Sequence, residues 1–172
     1  MRYIIIGLFI IIALTLQIVV FSNLSVWSIR PDLLLMVTVI WALRRGGREG
    51  GIIGALCGLL QDIFSSPIYI HTFTKALLGM VLGTFRESIA NLGNLTLISI
   101  VFFATIIIGG FEALILYFFF GKAFSGGALF IILLGGAAYN AVLTPIMIWA
   151  TSLVSKWSAR GESAPDVIYR LR

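Results

Sequence analysis

The chain has 172 residues, of which 60% are hydrophobic and only 11% charged, against roughly 25% charged and about 45–50% apolar in a soluble domain. Those proportions exclude a water-soluble globular fold and describe a single-domain integral membrane protein. The net charge of +5 is not a nucleic-acid signature, because the basic residues sit in short segments between apolar runs and form no aromatic-interleaved stripe.

Hydropathy predicts an all-α polytopic bundle of about six transmembrane helices, since a crossing takes ~20 apolar residues. The expected spans are Tyr3 to Phe21, Pro31 to Leu43, Gly50 to Phe64, Thr72 to Phe85, Leu95 to Phe120 and Ala128 to Val154. The first reads as a retained helix: it is of full crossing length and runs into Ser22-Asn23-Leu24-Ser25 without a small-residue cleavage pattern. The second to fourth are shorter than a usual crossing, which calls for shielding by neighbours, longer true boundaries or a re-entrant piece. Positive residues gather in cytoplasmic loops, and with the N-terminus inside, Arg2, Arg44, Arg45, Arg48, Arg86, Lys156, Arg160, Arg170 and Arg172 all fall on that side. Arg30, Lys75 and Lys122 fall toward the other. The expected organisation is a bundle over 1–155 and a cytoplasmic tail over 156–172, with both termini inside.

Charges within an apolar bundle are costly, so each needs a partner, water or an interface. Asp32 follows Pro31 at a helix start, where a carboxylate caps backbone N–H groups and suits the helix dipole. Asp62 closes the run from Gly54 near the Ser65-Ser66-Pro67 break, close in sequence to His71 and Lys75. An Asp62–Lys75 ion pair is expected there, or a polar ligand site at that mouth. Glu112 follows Gly109-Gly110 inside the fifth span, where a hydrogen bond to Asn140 or Tyr139 competes with a transport site. Gly50, Gly54 and Gly58 share one helix face, as do Gly79 and Gly83, which favours close helix packing. A lone Cys57 and a lone His71 give no basis for a disulfide, a metal cluster or a catalytic triad. Gly46-Gly47-Arg48-Glu49-Gly50-Gly51 lacks the G-K-[ST] ending of a phosphate-binding loop. No cofactor is expected, and the chain reads as a non-enzyme. The Arg44-Arg45-Gly46-Gly47-Arg48 loop would attract anionic headgroups or an acidic cytoplasmic protein.

Pro31-Asp32-Leu33-Leu34-Leu35 opening a span, Trp41-Ala42-Leu43-Arg44-Arg45-Gly46 closing it, the glycine-rich helix to Asp62, and Ser66-Pro67 together resemble the rod shape-determining protein MreD family of bacteria. The likeness is densest from Pro31 to Lys75 and departs at Ile68-Tyr69-Ile70-His71, where the pattern has a glycine soon after the proline. The resemblance implies a six-helix bundle similar to the substrate-binding subunits of energy-coupling-factor transporters, without enzymatic activity. It implies a scaffold of the cell-elongation complex that binds the membrane-anchored protein MreC and supports the peptidoglycan glycosyltransferase and transpeptidase, linked directly or indirectly to MreB filaments. The positions it marks are Pro31, Asp32, Arg44, Arg45, Gly54, Gly58, Asp62 and Pro67. The competing class is a small-solute subunit of a transporter, with Asp62, Glu112, His71 and Asn140 as pocket groups. An enzyme acting on a lipid-linked substrate is a third class, for which no acid, base or metal can be assigned.

Overall fold

A computed structural model describes residues 2–20, 29–65, 69–89, 93–122 and 125–160, and every regular element among them is helical. Helix α1 is Arg2–Thr15, continued by a π-helical turn over Leu16–Val20. Then come α2 (Leu33–Arg45), α3 (Gly47–Ser65), α4 (Ile70–Thr84), the four-residue α5 (Arg86–Ile89), α6 (Asn94–Phe120) and α7 (Gly126–Arg160). Each of the six expected spans overlaps a helix, the first ending in the π turn, and the short α5 is additional. Pro67 and the tail beyond residue 160 lie outside the described residues. Two helical stretches, Asn94–Phe120 and Gly126–Trp157, are long and apolar enough on their own to cross a membrane.

The shortness of α2, 13 residues, is explained by its place. Every residue from Leu33 to Leu43 is buried, so this helix is apolar all round and forms the axis of the bundle. Helices α1, α3, α4, α6 and α7 all pack on it. The large apolar side chains left exposed lie mostly around it: Ile4 and Leu8 on α1, Phe103 and Ile107 on α6, Val142, Ile146 and Trp149 on α7. In water such a surface would be intolerable, whereas against lipid tails it costs nothing.

At the end of α2, Gly46 takes φ +96°, a left-handed conformation open to glycine and strained for other residues. Its N–H closes on the Ala42 carbonyl at 2.8 Å, and α3 begins at the next residue. This one-residue reversal lays α3 beside α2 and puts Arg44, Arg45 and Arg48 at one end of the bundle.

Helices α3 and α4 form the tightest pair, and the glycine faces account for it. A Cβ at Gly54 would strike the Lys75 carbonyl, one at Gly58 the His71 carbonyl, and one at Gly79 the Gly50 carbonyl. The glycines therefore serve packing within the chain and bring backbone against backbone. Because the opposing atoms are main chain, an added methyl cannot be absorbed by a rotamer change. Gly58→Ala is expected to destabilise the bundle by about 2 kcal/mol, read as a lower denaturant midpoint in mixed micelles. Gly110→Ala on α6, whose Cβ would meet nothing within 4 Å, is expected to stay within about 0.5 kcal/mol of the parent.

Candidate functional site

At the end of the bundle opposite Arg44 and Arg45, the charged and amide side chains converge. Asp32 is the N-cap of α2: its Oδ1 accepts the Leu35 N–H at 2.8 Å, and Pro31 stands one residue before the cap. The other carboxylate oxygen takes the ammonium of Lys75 from α4. Lys75 has no exposed surface and also donates to Gln61 Oε1 of α3 at 2.7 Å. The Asp32 backbone N–H donates to Asn140 Oδ1 of α7 at 2.9 Å, while Asn140 Nδ2 donates to Thr105 Oγ1 of α6 at 2.9 Å. One residue thus joins α2 to α4 and α7, and through Lys75 and Asn140 to α3 and α6.

Two further groups complete the network. His71 Nδ1 lies 2.8 Å from Glu112 Oε1, and the same oxygen accepts Thr74 Oγ1 at 2.8 Å. Asp62 sits across the α3–α4 connection and caps α4, accepting the His71 N–H at 3.1 Å, the Thr72 N–H at 2.8 Å and the Thr72 hydroxyl at 2.6 Å. Helix α4 therefore starts on a carboxylate placed where its dipole is positive, although its own N-cap residue, Tyr69, makes no side-chain cap bond. From α1, Gln17 in the π turn accepts the Leu34 N–H at 3.2 Å.

Between these groups lies a cavity of about 460 Å³, lined by Gln17, Arg30, Asp32, Gln61, His71 and Glu112 with the apolar Ile18 and Phe64 at its margin. Its size is that of a small-molecule site, and unlike most such sites its walls are chiefly polar. They carry two carboxylates, one guanidinium and the His71 imidazole, with the buried ammonium of Lys75 behind Asp32.

The expected Asp62–Lys75 pair is corrected by this arrangement. Asp62 is saturated by donors of the first turn of α4, whereas Lys75 points along the bundle to the Gln61 and Asp32 side chains. Asn140 likewise bonds to Asp32 and Thr105 and is not the partner of Glu112, which faces His71 and Thr74. Of the four pocket groups expected for a solute site, His71 and Glu112 line the cavity; Asp62 and Asn140 do not.

The family-marked positions divide between two ends of the molecule. Pro31 and Asp32 line the cavity, with Asp62 capping α4 beside it, and Gly54 and Gly58 set the approach of α4. At the far end, Arg44 Nη2 donates to Ser152 Oγ of α7 at 2.8 Å and Arg45 Nη2 to Ser155 Oγ at 3.4 Å. Sequence reasoning missed Gln17, Arg30, Gln61 and Thr74. A signal was present for the two glutamines, each an isolated amide in an apolar helix.

A family model described as rod shape-determining protein MreD matches residues 1–154. No curated protein and no solved structure matches the chain.

Lys75 and Asp32 should behave as a unit. Removing one partner of a buried ion pair leaves an uncompensated charge at ~3–5 kcal/mol, while removing both can be nearly neutral. Lys75→Met is expected to lose stability on that scale, and Lys75→Met with Asp32→Asn to recover more than half of it. A double-mutant cycle on denaturation midpoints in micelles checks this, and full additivity of the two losses would show that the residues are not coupled.

Proposed function

The chain belongs to the rod shape-determining protein MreD family, whose model covers residues 1–154, and from that membership we propose that it is a non-catalytic scaffold of the bacterial cell-elongation complex. As a member it is a membrane protein of the cell envelope with a role in rod shape determination. In the proposed mechanism the bundle crosses the cytoplasmic membrane about six times with both termini inside. Its lipid-facing helices receive the single membrane helix of an MreC-like protein and support the peptidoglycan glycosyltransferase and transpeptidase. The end carrying Arg44, Arg45 and Arg48 faces the cytoplasm and, directly or indirectly, the MreB filaments.

The observation that carries this reading is the family match over most of the chain. The architecture is compatible with it: a tightly packed axis, α2 with α3 and α4, is surrounded by helices with broad exposed apolar faces. Such a body can offer a partner helix a fixed surface at little cost in conformational entropy.

The polar cavity favours one second reading, a small-solute binding subunit of a transporter. A scaffold has no need of a 460 Å³ hollow lined by charges. The six-helix arrangement resembling energy-coupling-factor substrate-binding subunits belongs to both readings as an expectation.

Purification of the tagged full-length protein from cells making it at native level, in mild detergent, separates the two. Mass spectrometry is expected to recover the MreC-like protein and the cell-wall polymerase after a stringent wash. Their absence, with a transporter subunit or a small solute retained instead, would replace the scaffold reading by the solute reading. Arg44→Ala with Arg45→Ala is expected to reduce recovery of the filament protein severalfold while leaving the MreC-like protein bound. Unchanged filament recovery and normal cell shape would remove the cytoplasmic contact from the proposal.

A further inference from the structure

The polar groups of the cavity at the head of α2 are unequally used. Gln17 Oε1 accepts the Leu34 N–H at 3.2 Å, and Gln61 Oε1 accepts the Lys75 ammonium at 2.7 Å. A backbone N–H and an ammonium have no acceptor capacity, so in both glutamines the amide oxygen is the engaged atom and the NH2 group is left over. Neither Nε2 has a partner among the described residues. Gln61 is 8% exposed, yet the fully buried unpartnered side-chain atom among those residues is Trp41 Nε1 and not Gln61 Nε2. The Gln61 amide therefore keeps its access through the hollow that it lines. Arg30 lines the same hollow and makes no hydrogen bond or ion pair among the described residues. Asp32 is the one anion here, and it is already spent: the Leu35 N–H takes one oxygen and the Lys75 ammonium the other. The head of the 13-residue α2 adds the positive end of its dipole. The groups still free on this side are thus all donors, the set that matches a carboxylate.

Helix α6 makes the opposite demand. Glu112 Oε1 is taken by His71 Nδ1 and Thr74 Oγ1, each at 2.8 Å, and Oε2 has no partner among the described residues. A carboxylate oxygen left open in a largely enclosed site calls for a donor, most strongly a cationic one. Ile18 and Phe64 add an apolar margin. We propose that the cavity binds a small zwitterion, an amino acid or short peptide. Its carboxylate is held by Arg30, Gln17 and Gln61, its ammonium by Glu112, and its apolar side chain lies against Ile18 and Phe64. The volume of about 460 Å³ suits a molecule of dipeptide size. The proposal rests, with the solute reading, on the cavity being a ligand site; it goes further in naming the ligand, and it requires no transport.

The test is thermal unfolding of the full-length protein in mild detergent with leucyl-leucine, with its N-acetyl derivative, which lacks the ammonium, and with its amide, which lacks the carboxylate. A ligand that binds the folded state raises the midpoint saturably. Leucyl-leucine is expected to do so, with each derivative about tenfold weaker or more, the scale of a lost hydrogen bond to a charged group. Glu112→Gln, which keeps an acceptor for Thr74, is expected to remove the penalty for acetylation alone, and Arg30→Gln the penalty for amidation alone. Gln17→Glu keeps the acceptor for the Leu34 N–H and replaces the NH2 donor by an oxygen, and is expected to weaken leucyl-leucine about tenfold or more. Absence of saturable stabilisation by leucyl-leucine would overturn the site. Either derivative binding as tightly as leucyl-leucine would overturn the zwitterion assignment, and penalties unchanged in Glu112→Gln and Arg30→Gln would overturn the places given to the two charges. The same titration on protein recovered with the MreC-like protein attached separates the site from transport: saturable binding there upholds the site even where the solute reading of function fails.

Discussion

A lysine with no exposed surface persists in an apolar bundle only if its ammonium is met on the spot by a charge and by further hydrogen-bond acceptors. Lys75 satisfies this condition with Asp32 and Gln61, and much of the fold is arranged around the requirement. Asp32 can serve because it already stands at the head of α2, where the exposed N–H groups of the first turn favour a negative charge and one of them holds its other oxygen. Its backbone is fixed in turn by Asn140 of α7. The pair therefore locks α4 against α2, and α2 against α7, at one depth in the bundle. Such pairs are weak contributors to net stability but strong selectors of register, because any sliding of α4 strands a charge in hydrocarbon.

The glycine face of α3 is the complementary half of the same arrangement. Where Gly54 lies against the backbone of Lys75, the two helices meet without intervening side chains, and the lysine stem must run lengthwise toward the cavity. A bulkier residue at that level would move α4 outward and carry the ammonium away from Asp32. Close packing at one level and charge pairing two turns on are thus one constraint expressed by different chemistry.

Helix positions were legible in the residues because apolar runs of 13 residues or more are separated by short polar breaks. The Asp32 cap was legible for a local reason, since cap and capped N–H are three residues apart. The partner of Lys75 was not, because Asp32 is 43 residues away and Asp62 is nearer in sequence. Proximity along the chain favours Asp62, but three donors at the start of α4 outbid a single ammonium for it. The His71–Glu112 contact, 41 residues apart, was hidden for the same reason: it depends on which faces of α4 and α6 meet. The complete burial of α2 was invisible too, since an all-apolar helix facing lipid and one facing protein read alike.

The molecule that results is polarised along its axis. One end holds charges of both signs around a hollow of about 460 Å³, and the other holds arginines tied to α7 through Ser152 and Ser155. Between them the surface is apolar and offers little to distinguish a lipid from a partner helix. Discrimination must then come from shape and from the few polar groups that reach the periphery, because burial against lipid tails supplies no net hydrophobic gain to a helix–helix contact.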